Sequence, residues 1–307
     1  MKTMKNSKIM MFSLTVFILI SSFSIAFGEG IETFRAKVNE NIVTEKWGSE
    51  KTHVTVPGGI VFLDDFIYVT DKEEGTIVVL DREGNFQNKS SADDLFLIEP
   101  TVIKTDGESL YVIDSGINQL KILSKNFELL KSIKLPEPFS RAEYWDFEII
   151  DKKIYLSSES LFKTDMAIYE LNKSGMTNKI THGFIGYLSN FNGELTAVNS
   201  LVHYKNANTQ GAKSGKNSLF KVKDDKLKSE FKFVDRYIPL DFLLADNYIY
   251  VFSAAAAGID KYTADGQYVE TLLQFEEPDL FVQLTLCNNS ILLAFPFEKA
   301  IYKIDLN

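Results

Sequence analysis

A single cysteine, Cys287, leaves no internal disulfide available, so the fold has to close on packing and hydrogen bonds alone. It lies in Gln283-Leu284-Thr285-Leu286-Cys287, where the alternation predicts a strand and a small buried hydrophobe in place of a reactive thiol. Basic residues are outnumbered, 33 Lys and Arg against 42 Asp and Glu for a formal charge of -9, which argues against a nucleic-acid surface. The three histidines show neither H-x-H nor H-E-x-x-H spacing, and there is no G-x-S-x-G elbow, no phosphate-binding glycine loop and no D-x-D-x-D-G loop. Nucleophilic hydrolysis on a local motif, nucleotide binding on a P-loop and calcium binding on an EF-hand are therefore unsupported. No long stretch has helical periodicity, which sets aside the helical-bundle classes.

At the N-terminus, Lys2, Lys5 and Lys8 precede an uncharged apolar stretch from Ile9 to Phe27. This reads as a secretion signal covering residues 1–28, with Ser24 and Ala26, or Ala26 and Gly28, as small-residue cleavage points. A run of this length also suffices to span a bilayer as an uncleaved anchor, which is the one membrane association the sequence supports. Removing it takes away three lysines and no acids, moving the charge from -9 to -12, as suits solubility outside the cell. The expected location is secreted or envelope-associated. The abundance of Lys, Ile and Asn suggests a low-GC bacterium.

Residues 29–307 are expected to form one domain. A short apolar run, usually carrying tyrosine, is followed by a polar loop and a second apolar run, as in Ile67-Tyr68-Val69-Thr70-Asp71 leading to Thr76-Ile77-Val78-Val79-Leu80. Equivalent positions fall at Tyr68, Tyr111, Tyr155, Thr196, Tyr250 and Leu292, in steps of 43, 44, 41, 54 and 42 residues. That is the period of a four-stranded propeller blade. The predicted fold is all-β, a six-bladed β-propeller of four-stranded antiparallel blades. Inner strands are read at Gly59 to Leu63, Tyr144 to Ile150 and Phe281 to Leu286, and third strands at Thr76 to Leu80, Gln119 to Leu123, Ala167 to Leu171, Leu219 to Val222, Gly258 to Tyr262 and Ala300 to Ile304. More polar fourth strands follow at Phe127 to Ile133, Lys228 to Phe233 and Tyr268 to Leu273, with tight turns at Asp106-Gly107, Asn192-Gly193, Asp246-Asn247 and Asp265-Gly266.

The sixth repeat stops after its third strand, Ile301-Tyr302-Lys303-Ile304. Ile42-Val43-Thr44-Glu45-Lys46-Trp47, within the segment 29–47, stands before the first inner strand at the spacing of a fourth strand. It is predicted to pair there and close the ring, hiding sheet edges that would otherwise template aggregation.

At Leu110-Tyr111-Val112-Ile113-Asp114-Ser115-Gly116-Ile117-Asn118-Gln119-Leu120 the sequence resembles the NHL-type repeat, in which a strand ending in Asp-Ser-Gly turns into the third strand. Ile67-Tyr68-Val69-Thr70-Asp71 is similar, and is also similar to the YWTD repeats of receptor propellers, so that the chain resembles an exported bacterial member of the wider TolB-like and YWTD-like group of six-bladed propellers. The resemblance is good over the first two blades, fair in the fifth at Ile249-Tyr250-Val251-Phe252, and carried by spacing in the others. It implies an architecture shared by lyases, lactonases and many binding proteins. It further implies a ligand face formed by the loops joining strands two to three and by the connections between blades.

Mapped onto that face, the candidate ligand-binding residues are Trp47, His53, Arg141, Glu143, Trp145, His182, Tyr187, His203 and Arg236. The imidazoles suit a metal or acid/base chemistry, and the aromatics suit stacking on a sugar ring or a peptide side chain. Carboxylates at Asp93, Asp94, Glu99, Asp146, Glu276, Glu277 and Asp279 suit calcium or another divalent cation, although solvated acidic loops are the plainer account. Glu143-Tyr144-Trp145 is similar to the Glu-Gly-Pro-x-Trp metal stretch of gluconolactonases in its Glu and Trp, but it lacks Gly-Pro and sits in the third blade, so that family's ligands are not carried over. The long step comes from a basic insertion, His203 to Asn217, read as a surface loop or as a flap whose Lys205, Lys213 and Lys216 meet an acidic ligand. Ser253-Ala254-Ala255-Ala256-Ala257-Gly258 either leaves room for a ligand or makes a compact turn. The sequence thus points to an exported binding module whose partner is an envelope or extracellular protein, a peptide or a glycan. The alternative is a metal-assisted lyase or lactonase built on His53, His182 or His203.

Overall fold

The structure is a computed structural model that describes residues 38–306 apart from 136–142, 160–166, 173–176, 182–184, 206–209, 215–217, 225, 234–237, 255, 278 and 280. At 143–145, 158–159, 177, 185, 200–205 and 210–214 it describes backbone alone. It is a six-bladed β-propeller of antiparallel sheets.

The strand β1 (Thr44–Trp47) and a single helical turn α1 (Ser49–Thr52) lead into blade 1, formed by β2 (Pro57–Leu63), β3 (Phe66–Asp71), β4 (Thr76–Leu80) and β5 (Phe86–Lys89). A second turn, α2 (Ala92–Leu95), enters blade 2, with β6 (Pro100–Thr105), β7 (Leu110–Asp114), β8 (Gln119–Leu123) and β9 (Leu129–Lys134). Blade 3 comprises β10 (Glu143–Ile150), β11 (Lys153–Glu159), β12 (Ala167–Leu171) and β13 (Thr177–Lys179). Blade 4 comprises β14 (Ile185–Phe191), β15 (Glu194–Lys205), β16 (Gln210–Ser214), β17 (Ser218–Lys223) and β18 (Lys226–Lys232). Blade 5 has β19 (Pro239–Ala245), β20 (Tyr248–Ser253), β21 (Gly258–Thr263) and β22 (Tyr268–Gln274), and blade 6 has β23 (Gln283–Cys287), β24 (Ser290–Phe295) and β25 (Ala300–Asp305). The inner strands β2, β6, β10, β14, β19 and β23 contact one another in succession, and β23 returns to β2.

Closure is as the repeat arithmetic predicts. β1 is the fourth strand of blade 6, antiparallel to β25, with Thr44 opposite Ile304 and Trp47 opposite Ile301. Trp47 is buried, and its indole lies where a side chain at Gly84, in the β4–β5 turn, would have to go. One aromatic from the closing strand thus wedges blade 6 against blade 1.

Both faces of each blade are covered, so alternation along a strand sorts apolar residues between two interfaces instead of separating core from solvent. In blade 1, Ile67, Val69, Val78 and Leu80 pack toward blade 6 with Trp47, Leu292 and Ile301. Tyr68, Ile77 and Val79 pack toward blade 2 with Ile103 and Val112. Between blades 5 and 6 the same job falls to rings, with Phe275 stacked on Phe295 at 4.3 Å between centroids and edge-on to Tyr302 at 5.0 Å.

The repeated aspartate at the end of the second strand is a backbone clamp. Asp71, fully buried, accepts hydrogen bonds from the N–H groups of Thr55, Val56, Glu73 and Glu74. It ties the entry to the inner strand to the turn between strands two and three. Asp114 does the same in blade 2 for Ile98, Glu99 and Gly116. Serine serves in blade 5, where Ser253 Oγ accepts from Ile238 and Ala256. Blade 6 moves the carboxylate: Phe295 takes the aspartate's position opposite Ala300, and Asp279 reaches from the other side to the N–H groups of Phe281 and Phe297.

Two expectations change, for the insertion and for Phe127, and one alternative is settled. The insertion His203 to Asn217 is not a plain loop, because β15 runs on to Lys205 and β16 folds back on it with Leu201 opposite Ser214, making a β-hairpin that extends from blade 4. The short-side-chain stretch Ser253 to Gly258 is a compact turn closed by Ala257 N–H to the Ala254 carbonyl, and its described alanines are buried. Phe127, assigned above to a fourth strand, instead stands at a positive φ of 68° in the turn before β9. A chain beginning at Thr52, lacking β1, is expected to be insoluble or to lose cooperative unfolding, as read by circular dichroism melting. A melt as sharp as that of the chain beginning at Glu29 would show that closure does not depend on this strand.

Candidate functional site

The inner strands carry polar residues into the channel that they surround. Gln283, at the start of β23, spans from blade 6 to blades 1 and 2: its Oε1 accepts from Ile60 N–H and Ile103 N–H, both at 3.3 Å, and its Nε2 donates to the Ile103 carbonyl at 2.7 Å. Gly59 makes room for it, since a Cβ there would sit 2.3 Å from that Oε1.

Lys104 of β6 does the equivalent work on the other side. Its ammonium donates to Asp146 Oδ2 at 2.9 Å, to Glu148 Oε2 at 3.3 Å and to the Leu188 carbonyl at 2.9 Å. These three acceptors match the three protons of a lysine. Asp146 in turn accepts from Leu188 N–H at 2.8 Å, so blade 4 is held through both polar groups of one residue's backbone. Asp241 of β19 accepts from Leu284 N–H at 2.5 Å and from Phe242 N–H at 2.8 Å, coupling blade 5 to blade 6.

The cluster is acidic and buried. Asp146, Asp241 and Asp279 are buried, as is Tyr187, which enters the channel from β14. Burial pushes the Asp241 carboxyl up to about 7, with the Asp146 charge adding to the effect and Lys104 opposing it. Burial likewise raises Asp146 to about 6 against the pull of Lys104. For Lys104 burial alone acts downward, but Asp146, Glu148 and Asp241 outweigh it and hold the ammonium above its ordinary value. The Tyr187 hydroxyl is pushed well above the usual tyrosine range by burial, then by Asp241, Asp146 and Asp279. The cation paired with the Asp146 and Glu148 carboxylates is the Lys104 ammonium. Among the described residues no group of three or more His, Cys, Asp or Glu side chains is arranged to hold a metal ion.

The structure scatters the residues singled out from sequence. Trp47 is an inter-blade wedge whose Nε1 donates to Glu45 Oε2 at 3.0 Å. His53 ends α1 and stacks on Phe86 of the outer strand β5, 4.4 Å between centroids, away from the channel. Tyr187 is the one candidate that the described side chains place in the channel. Glu143 and Trp145 belong to β10 and His203 to β15 by backbone, while Arg141, His182 and Arg236 lie outside the described residues. Of the acidic set, Asp146 and Asp279 are buried, whereas Asp93, Asp94, Glu276 and Glu277 are exposed in the connections between blades. Lys104, Glu148, Asp241 and Gln283 were not singled out. For Asp241 the signal is one polar residue interrupting an apolar inner strand, Pro239-Leu240-Asp241-Phe242-Leu243-Leu244, and for Lys104 the one charge in Pro100-Thr101-Val102-Ile103-Lys104-Thr105; Glu148 and Gln283 carry no such signal. At the opposite end of the ring, beside the turns between first and second strands, lie two clefts of about 390 and 320 Å³, lined in part by Tyr155 and Lys221 and by Asn190 and Tyr248.

No family model matches this chain, and no curated protein matches it. Solved structures do share its fold. A streptogramin B lyase is 16% identical with a TM-score of 0.58, over 87% of this chain and 98% of that one. A virginiamycin B lyase from Staphylococcus aureus is 12% identical with a TM-score of 0.56, over 87% and 100%. A luciferin-regenerating enzyme is 12% identical with a TM-score of 0.60, over 86% and 95%. Identities this low establish the six-bladed propeller class.

Because Asp146 and Asp241 keep protons in the folded state that the unfolded chain releases near pH 4, the native state binds more protons between about pH 4 and 7, and these groups subtract stability as pH rises through that window. Asp241→Asn should therefore compare more favourably with the parent at pH 8 than at pH 5 in thermal melts. A pH-independent difference would show that Asp241 is ionised throughout. Lys104→Met, which strands the Asp146 and Glu148 charges, should cost about 3 kcal/mol or more in denaturant unfolding.

Proposed function

We propose that the protein is an exported binding or interaction module, carried out of the cytoplasm by the signal at residues 1–28, that meets its partner on the loop face of the propeller. The observation that supports this reading is the state of the channel. The donors of Lys104 and both ends of the Gln283 amide are engaged in bonds between blades. Polar groups used in this way brace a ring and are not available to a reacting atom. Recognition then falls to the surface loops. The partner expected from the sequence is an envelope or extracellular protein, a peptide or a glycan.

The second reading, a metal-assisted lyase or lactonase at the mouth, draws support from the streptogramin B and virginiamycin B lyases that share the fold. It would use a divalent cation such as calcium to polarise a substrate oxygen. His53 fits it poorly, because its ring is stacked on Phe86.

Thermal unfolding after dialysis against chelator, with calcium, magnesium, manganese or zinc returned separately, tests between them. A native-state ligand at a hundredfold excess over its dissociation constant adds about 2.7 kcal/mol. No shift of the midpoint is expected for any of the four. A rise with one of them that Glu143→Gln or His182→Ala abolishes would put the enzyme reading first.

A further inference from the structure

The end of the ring that carries the turns between second and third strands and the connections between blades is apolar over blades 6, 1 and 2. Phe96 is 72% exposed, Ile98 60%, Phe297 59% and Phe281 37%. Of the other large exposed apolar residues, Phe66 lies at the opposite end, at the start of β3, Leu129 and Leu130 lie on the outer strand β9, and Val38 and Val43 precede β1.

The four residues form one tract, joined by contacts already fixed in the fold. Asp279 binds the N–H groups of Phe281 and Phe297 at 2.9 and 2.7 Å, which sets those residues side by side. Lys72, in the β3–β4 turn of blade 1, places its ammonium 5.3 Å from the centre of the Phe281 ring and 4.0 Å from Glu99 Oε1. Glu99 adjoins Ile98, whose side chain lies against Gly116, and the carbonyl of Phe96 accepts from Lys121 Nζ at 2.8 Å. Backbone clamps, not side-chain burial, therefore hold these rings at the surface. An exposed tract this rigid costs solvation in the free protein, and such tracts usually mark interaction sites.

Carboxylates flank it. Asp93 and Asp94 precede Phe96, and Glu276 and Glu277 precede Phe281, all exposed. Among the described residues none of these four is paired with a lysine or arginine. Lys72 and Lys299 are already engaged with Glu99 and Glu73, at 4.0 and 3.6 Å.

We infer that this face of blades 6, 1 and 2 is a docking surface for a cationic polypeptide segment that carries apolar side chains between its lysines or arginines. The inference rests on the binding-module reading and names the chemical class of its partner. The acidic rim selects and steers the positive charges, and the phenylalanines and Ile98 supply the desolvated contact that holds the segment.

Three short labelled peptides test this on the chain beginning at Glu29: one alternating lysine and leucine, one lysine and serine, one glutamate and leucine, followed by fluorescence anisotropy at physiological salt. The lysine–leucine peptide should bind at least about tenfold tighter than either control, tenfold being 1.4 kcal/mol. Phe281→Ser and Phe96→Ser should each weaken it about tenfold, and Phe66→Ser should leave it unchanged. Equal binding of the lysine–serine peptide, equal binding of the glutamate–leucine peptide, no binding at all, or equal loss with Phe66→Ser would each overturn the proposal. Failure here leaves the module reading standing, whereas a metal-dependent rise of the melting midpoint that Glu143→Gln or His182→Ala abolishes puts the enzyme reading first whether or not the peptide binds.

Discussion

Every sheet in this molecule buries both faces against its neighbours, so no blade has a complete core until the circle is complete. The pairing of β1 with β25 meets that constraint. Without it, Leu292, Ala294 and Ile301 would lose the cover of Trp47, and the outer edge of β25 would be left with unpaired backbone groups. A disulfide could impose the same circularity covalently, but the one cysteine is buried in β23. Hydrogen bonds and one indole take its place.

The channel applies the same logic at the axis. Bonds between neighbouring blades run along the inner strands, but Lys104 and Gln283 reach further, each binding two other blades. Isolated buried ions are poor sources of stability, because desolvation offsets their attraction. Their value here is geometric: an ammonium that has one satisfactory arrangement of acceptors fixes the angles between three sheets. Burial is the main cause that raises the carboxyls of both Asp146 and Asp241, a neighbouring carboxylate adds to it in each case, and Lys104 opposes it.

The architecture was legible in the amino-acid sequence where the physics is local. Third strands at Thr76 to Leu80, Gln119 to Leu123 and Ala167 to Leu171 fall at their predicted limits, because each is an apolar run with a polar turn at either end. Asn192-Gly193 and Asp246-Asn247 declare their turns by residue type, and both adopt positive φ. Asp64-Asp65 and Asp151-Lys152 make equivalent turns without the usual composition and passed unnoticed. The hairpin of β15 and β16 was hidden because Lys205 to Gly215 has no apolar alternation and a single β-branched residue, Thr209. The channel cluster was illegible for a different reason: Lys104, Asp146 and Asp241 come from three blades, and nothing near any one of them in the chain reveals the other two. The exposed phenylalanines looked like ordinary loop or core aromatics, since exposure depends on backbone clamps made by residues such as Asp279 and Asp114.

The closing strand also fixes a schedule. Among the described strands β1 comes before and β25 after all the others, so β1 has to wait for its partner through synthesis of the blades between them. Contacts of such sequence separation form slowly, and intermediate chains with open edges are exposed to misassembly. The sheet edges that β1 and β25 cover in each other therefore stay open in a growing chain until β25 has been made.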